Sequence, residues 1–319
     1  MSVYLVTGGA GFIGSHIAEA LVSRGHRVRV LDNFSTGRTD NLSFGKAANA
    51  LTVIEGDVRD GRAVTEAVRG VDAVFHEAAL PSVQRSVDDP ATTHAVNVEG
   101  TVTVLEAVRT LGVPRFIYAG SSSAYGESPT LPKKEEMAPA PLSPYAVSKL
   151  VGEYYCQVYA RLYGIHAVSL RYFNVFGPRQ DPASPYAAVI PLFIEAILDG
   201  RAPIIYGDGG QTRDFTYIEN VVNANLGALE APALGGDVLN VATGTRVSLL
   251  DMLAMLGKIL GRPVVPEHAP ARAGDVRHSL ADITRAREVL GYAPSVTLEE
   301  GLRLTAAHMK TERGNEAAR

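Results

Sequence analysis

The chain has 319 residues, enough for one large or two medium domains with a substantial core. Its 46% hydrophobic and 20% charged content is that of a soluble globular enzyme, and a net charge of −4 without a basic block gives nucleic acid no electrostatic footprint. A single cysteine, Cys156, excludes an intramolecular disulfide and fits a reducing cytosol. The opening MSVYLVTGG lacks the basic start and cleavage site of a signal peptide, and the run YAAVIPLFIEAIL is broken by Pro191 and Glu195, too short for a bilayer. A cytoplasmic protein without nucleic-acid or membrane partners is expected.

The first predicted element is a strand over residues 3–7, followed by the turn GGAGFIG and a helix over 12–24. Gly8, Gly11 and Gly14 permit a tight turn, close approach of backbone to a pyrophosphate, and close helix–strand packing. The helix N-terminus then offers N–H donors and a partial positive charge. The next strand, 27–32, ends on Asp32, spaced to bind an adenosine ribose and to repel a 2′-phosphate, so NAD is favoured over NADP. A third strand, 51–55, leads to Asp57 and Val58, where the adenine edge is expected.

Further strands are predicted at 73–77, 115–120 and 167–172, with helices at 61–69, 91–111 and 144–163. The strands are apolar throughout, as a parallel sheet buried on both faces requires. The fold expected is therefore α/β with a doubly wound parallel sheet. The segment 91–111 is rich in Val and Thr, but its length and the Asp89-Pro90 start favour helix. Beyond Asn174 the alternation weakens, implying a smaller mixed α/β domain against the sheet's carboxyl edge. The domains expected are 1–173 for the cofactor and 174–310 mainly for substrate, some of its segments returning to the first. Residues 311–319 read as a frayed tail.

Two chemical features lie in the predicted cofactor domain. The strand 115–120 runs into Ser121, Ser122 and Ser123, three hydroxyls with no acid, thiol or histidine beside them. In PLSPYAVSK, Ser143 suits an N-cap and Pro144 the first helical position, which places Tyr145 and Lys149 on one helix face. A fixed ammonium and a nicotinamide cation both favour phenolate, so Tyr145 is expected to titrate below its usual value near pH 10 and act as a base. The eight histidines are scattered, and in HEAAL the place of a second histidine is taken by Leu80, so no metal is expected. Ala78 and Ala79 leave room for a cofactor, whereas Glu77 beside them is more polar than the position calls for.

Together TGGAGFIG, SSSAYG and SPYAVSK resemble the extended short-chain dehydrogenase/reductase family. RYFNVFGPRQDP, GDGGQTRDFTYIENVV and ARAGDVRHSLADITRA are similar to its nucleotide-sugar branch, especially UDP-hexose 4-epimerases acting on UDP-N-acetylglucosamine. The resemblance implies tightly held NAD, a UDP-sugar substrate and a homodimer formed through the helices 91–111 and 144–163. It implies catalysis by Ser121, Tyr145 and Lys149. Cofactor contacts are implied at Phe12, Ile13, Asn33, Ser35, Thr36, Gly37 and Tyr172, besides the residues already named. Substrate contacts are implied at Ser82, Ser122, Ser123, Asn174, Ala188, Val189, Tyr206, Arg213, Arg272, Asp275 and Ser279.

Relatives that dehydrate a dTDP-hexose carry Asp-Glu where Ser122 and Ser123 stand, and relatives that decarboxylate UDP-glucuronate carry Glu at Ser123. The serines leave oxidation of a sugar alcohol and its reversal. Similar enzymes acting on uronates place a basic residue at Asp181. A small residue at Ser279 leaves space for an N-acetyl group. The readings kept open are a UDP-glucuronate 4-epimerase, a net NAD-dependent oxidoreductase and a non-catalytic nucleotide-binding protein.

Overall fold

β1 (Val3–Thr7), β2 (Arg27–Asp32), β3 (Leu51–Glu55), β4 (Ala73–His76), β5 (Arg115–Ser121) and β6 (His166–Tyr172) follow the predicted strands within a residue. The computed structural model describes residues 1–47, 50–182, 188–232, 234–270 and 276–317, the side chains of 45–47 and 315–317 aside. The helices of the first half are α1 (Phe12–Ser23), α2 (Gly61–Val68), α3 (Val83–Asp88), α4 (Pro90–His94), α5 (Gly100–Thr110) and α6 (Pro144–Tyr163). Every strand pair in the main sheet is parallel.

The second half contributes β7 (Val175–Phe176), α7 (Val189–Leu198), β8 (Ile204–Tyr206), β9 (Thr212–Arg213), β10 (Thr216–Tyr217), α8 (Ile218–Glu230), β11 (Gly235–Val241), β12 (Val247–Ser248), α9 (Leu249–Leu260), β13 (Glu267–Ala269), α10 (Thr284–Leu290) and α11 (Leu298–Ala317). β11, unforeseen because GGDVLNV starts on two glycines, joins the main sheet beside β6. The sheet order is thus β11-β6-β5-β4-β1-β2-β3, which reverses direction between β1 and β4. Three two-stranded ribbons, β7 with β10, β8 with β13 and β9 with β12, complete a doubly wound α/β fold.

Two cores hold the sheet. On one face Leu5, Phe116 and Ala167 pack against Val64, Leu105 and Cys156 of α2, α5 and α6. On the other, Val6, Ile117 and Leu239 pack against Ile17 and Leu21 of α1 and Val221 of α8. β3, at the edge, is the exception to burial on both faces: Val53 is exposed. α6 is tied to β6 by a buried, bidentate Arg171–Glu153 pair at 2.8–3.2 Å. Breaking such a pair strands a charge at a cost of about 3–5 kcal/mol. The pair therefore fixes the register of the helix that carries Tyr145 and Lys149.

Three sequence expectations change. The helix expected over 91–111 is α4, a π turn over Ala95–Glu99 and α5, with Asp89 capping Thr92 N–H (3.0 Å) as read from the sequence. The π turn lets Asn97 reach sideways to Leu80 N–H (2.8 Å) and to Ser148 Oγ on α6 (3.0 Å). α3 is new, capped by Ser82. The tail expected to fray continues α11 as helix to Ala317, where Thr311 Oγ1 donates to Ala307 O and Arg313 pairs with Asp199. No described helix is long and apolar enough to cross a membrane.

Candidate active site

Where the strand order reverses, the carboxyl ends of β1 and β4 diverge over a cavity of about 580 Å³, the place where open α/β sheets bind ligands. Its floor is the glycine loop. Gly8 has φ +66°, and a Cβ there would stand 2.7 Å from the Ala78 backbone across the switch point. A Cβ on Gly14 would stand 2.3 Å from Gly8 O, so this helix can approach the loop only without a side chain. Gly11 is the N-cap of α1 and makes no side-chain cap, leaving the first-turn N–H groups to receive an anion.

Asp32 ends β2 and is buried. Its Oδ2 accepts Ala10 N–H and its Oδ1 accepts Phe34 N–H, both at 2.9 Å. A carboxylate has lone pairs left for a ribose hydroxyl, so Asp32 can both brace the loop and meet the cofactor. Asp57 accepts from Asn33 Nδ2 (2.9 Å) and is forked by Arg59, which holds its carboxyl down to about 2. It is an anion across the neutral pH range. Asp32→Ala is expected to weaken NAD retention and to narrow the preference over NADP, because repulsion of a 2′-phosphate goes with the carboxylate. Tighter NADP than NAD binding by the unaltered chain would contradict the assignment.

The cavity wall contains Gly8, Gly11, Phe12, Ile13, Gly14, Asp32, Asn33, Ser35, Thr36, Asp57, Val58, Ala78, Ala79, Tyr145, Lys149 and Tyr172. Gly37 is the one expected cofactor residue outside it. A Cβ on Gly37 would meet Ala10 Cβ and Asp32 Oδ1 at 2.9 Å, so it packs beneath the loop. The wall also holds Arg38, Asn41, Leu80, Arg85, Val96 and Arg179, none of them expected from the sequence as a site residue. Arg179 reaches Glu19 and Ser15 of α1 from 160 residues away or more, a separation no local pattern reveals.

At the other end of the cavity the catalytic candidates converge. Ser143 Oγ accepts Ala146 N–H (3.1 Å) and Pro144 opens α6, so Tyr145 and Lys149 lie one turn apart on the face toward β5. Lys149 is buried, donates to Ala119 O (2.9 Å) and stands 5.1 Å from the Tyr118 ring centre. Ser121 is near enough to the Tyr145 phenol to favour its ionised form. It also shares a 2.8 Å hydrogen bond with Ser123 Oγ and accepts Ser123 N–H, capping the short 3-10 turn Ser122–Tyr125.

Burial pushes the Tyr145 phenol up, against the pull of Ser121, and Glu77 adds to the rise. The lowered phenol expected from the Tyr–Lys spacing is therefore not reached by the protein's own groups. Desolvation wins. Burial also pushes the Lys149 ammonium down to about 8, opposed by Glu77 and Glu153.

Of the substrate candidates, Ser82 lines the cavity while its Oγ caps α3 through Arg85 N–H (3.1 Å). Ser122, Ser123, Asn174, Ala188, Val189, Tyr206, Arg213 and Ser279 stand outside its wall. Asn174, at φ +35°, donates to Ser279 Oγ (3.1 Å) and Asp214 O (2.9 Å), drawing β6's end and the Ser279 loop together. Arg213 donates to the carbonyls of Thr212 and Arg277. Ala188 caps α7, Val189 begins it, and Tyr206 ends β8, half-exposed. Arg272 and Asp275 lie outside the described residues.

The glycine cradle, the acid at the end of β2 and the open space over Ala78 and Ala79 fit a dinucleotide. The chain is similar over nearly its whole length to known proteins. Over 310 residues the chain is 41% identical to the UDP-glucose 4-epimerase of Mycolicibacterium smegmatis, covering 97% of this chain and 98% of that one. The UDP-N-acetylglucosamine 4-epimerase of Methanobrevibacter ruminantium, solved with UDP-N-acetylmuramic acid, superposes with a TM-score of 0.93 at 39% identity over 98% of this chain and 99% of that one. The UDP-glucuronic acid 4-epimerase of Bacillus cereus, solved with UDP-glucuronic acid and NAD, superposes at 0.91 with 34% identity over 97% and 99%. Residues 4–242 carry the family match itself, and the chain belongs to the NAD dependent epimerase/dehydratase family.

Proposed function

We propose that the chain is a UDP-hexose 4-epimerase that interconverts UDP-GlcNAc with UDP-GalNAc and also accepts UDP-Glc and UDP-Gal. The observation that carries this reading is the end of β5, where Ser121 meets the Tyr145 phenol and Ser122 and Ser123 supply no acid or base for an elimination. NAD, when bound, supplies the hydride acceptor and a pyridinium charge near Tyr145. Tyr145, as phenolate, takes the C4 hydroxyl proton as the C4–H bond breaks, leaving a 4-keto sugar. Lys149 holds its charge one helical turn away, anchored on Ala119 O, and Ser121 steadies the phenol. Return of the hydride to the opposite face, with the proton handed back by Tyr145, gives the epimer with no net redox change.

The ketose must turn over between the two steps, so binding energy belongs on the UDP portion. Asn174 and Arg213 of the second half are the described groups suited to it, with charge-assisted bonds to phosphate from the guanidinium. Asp181, exposed at the cavity wall, opposes a uronate carboxylate by like charge. The test is NMR of UDP-GlcNAc, UDP-Glc and UDP-glucuronate, each incubated with the protein and no added cofactor. C4 epimers of the first two, with slower conversion of the third, are expected. Turnover only with added NAD would show a net oxidoreductase, and fastest conversion of UDP-glucuronate would show a uronate epimerase.

Ser279 carries the choice of sugar pair. Its side chain is small and its hydroxyl is bound by Asn174. Overfilling a packed site costs about 1–3 kcal/mol, so Ser279→Tyr should slow the acetylated pair by roughly ten- to a hundredfold. The non-acetylated pair should be nearly unchanged, and Ser279→Ala, which stays small, should leave the ratio of the two intact. Equal losses on both pairs in Ser279→Tyr would remove Ser279 from the sugar site.

We also infer a homodimer through the 91–111 segment and α6, the latter leaving Val147, Tyr154, Val158, Leu162 and Tyr163 exposed. A sedimentation mass of one chain would contradict it.

A further inference from the structure

Glu77 is polar where the sequence gives no reason for it, and it stands inside the catalytic end of the cavity. It follows the last residue of β4, and its N–H donates to Thr7 O (3.1 Å), which fixes its backbone at the switch point. Its side chain shares the wall with Tyr145, Lys149 and Tyr172. Tyr172 donates its phenolic O–H to Glu77 Oε1 (3.0 Å) and accepts from Asn225 Nδ2 (2.9 Å). Asn225 is fully buried on α8, so the carboxylate is linked through Tyr172 to the helix across the sheet's other face. A carboxylate is costly to desolvate, and an apolar residue would fill a purely structural position here more cheaply.

Several charged and titratable groups surround it. Lys149 and Tyr145 face it from α6, and Tyr172 faces it from β6. His76, one residue back, is held between Thr7 and Thr101 and stays neutral, burial pushing it down to about 3. Glu153, also on α6, is paired with Arg171. Arg85, Arg179 and Asp181 occupy other parts of the wall. Glu77 is therefore the carboxylate, among the described residues of the wall, that raises the proton affinity of both Tyr145 and Lys149. Its own carboxyl is pushed up to about 7 by burial, against the pull of Lys149 and of the Tyr172 hydrogen bond.

We propose that Glu77 is a positioning residue for the epimerisation proposed above: its carboxylate anchors the Tyr172 phenol and supplies the counter-charge that sets the pH at which the Tyr145–Lys149 pair releases its proton. The sign follows from the charges. A negative neighbour stabilises the protonated form of both members of the pair, so removing it lets the first proton leave at lower pH. As pH falls through the transition of Glu77 itself, glutamic acid and glutamine carry the same charge and the two proteins converge.

The test is an ultraviolet titration of the purified full chain with its resident cofactor. The phenolate signal of Tyr145 is taken as the parent minus Tyr145→Phe, and again in the Glu77→Gln background. The Tyr145 step is expected to move to lower pH in Glu77→Gln by on the order of one unit, about tenfold more phenolate at a pH well below both steps. Glu77→Asp, which keeps the charge, should stay near the parent. An unmoved step in a Glu77→Gln protein with the parent's circular dichroism overturns the proposal. Should Glu77→Gln fail to fold, carbon-13 NMR of glutamate-labelled parent and Glu77→Asp decides instead. The carboxyl resonance missing from Glu77→Asp should titrate well above the ordinary glutamate range, and ordinary titration overturns the proposal. Neither readout uses a sugar substrate, so absence of epimerase activity would count against the proposed function alone.

Discussion

Tyr145→Phe is expected to lower turnover by roughly two to four orders of magnitude, the usual worth of a positioned general base. The loss should fall on turnover, with UDP affinity kept, because the phenol sits near Lys149 at the end of the cavity proposed for the sugar. Steady-state kinetics alongside calorimetric UDP titration separate the two. Lys149→Met acts partly through the same phenol, so the double variant should lose far less than the two single losses combined. A Tyr145→Phe protein within a few-fold of the parent would remove Tyr145 from the base position.

Gly14→Ala should strip the protein of its cofactor. The added Cβ would stand 2.3 Å from Gly8 O and 2.9 Å from Gly8 C and Gly9 Cα, all backbone atoms that cannot rotate away. The loop and α1 must separate, which removes the N–H cradle of the pyrophosphate. Overpacking of this kind costs about 1–3 kcal/mol of stability, so some fold should survive while nicotinamide released on denaturation falls about tenfold or more relative to the parent. A thermal melt and a count of released cofactor per chain measure both. Normal cofactor content would show that the loop is not the pyrophosphate site.

Much of the cofactor half was legible in sequence because its signals are local. GGAGFIG follows a strand and opens a helix, Asp32 ends the next strand, and Ser143-Pro144 starts α6. The structure brings the glycine loop, Asp32, and Tyr145 and Lys149 from the helix that Ser143-Pro144 opens, to one cavity. What stayed hidden depends on distant chain segments. β11 pairs with β6 only after some sixty intervening residues have crossed the second half. Arg179 reaches α1 across the molecule, and Asn97 gains its contacts with Leu80 and Ser148 only because a π turn rotates it out of the helical frame.

The serine run was legible as chemistry but not as structure. Ser121 does two things at once, favouring the ionised Tyr145 phenol and capping the turn that carries Ser122 and Ser123. The phenol itself shows where sequence spacing misleads. Tyr-x-x-x-Lys spacing implies a depressed value, yet burial, reinforced by Glu77, outweighs the pull of Ser121. Glu77 is opaque in sequence for the same reason, since its meaning comes from Lys149, Tyr145 and Tyr172 on two other elements.

In the proposed reaction hydride leaves C4 of the sugar and returns to that same carbon on its other face. UDP-glucose deuterated at C4, incubated in ordinary water with the purified protein and no added NAD, tests it most directly. UDP-galactose that still carries deuterium at C4 is expected, with no keto sugar released and no label in solvent. Epimer formed with hydrogen at C4, or deuterium recovered in free reduced cofactor, would contradict it.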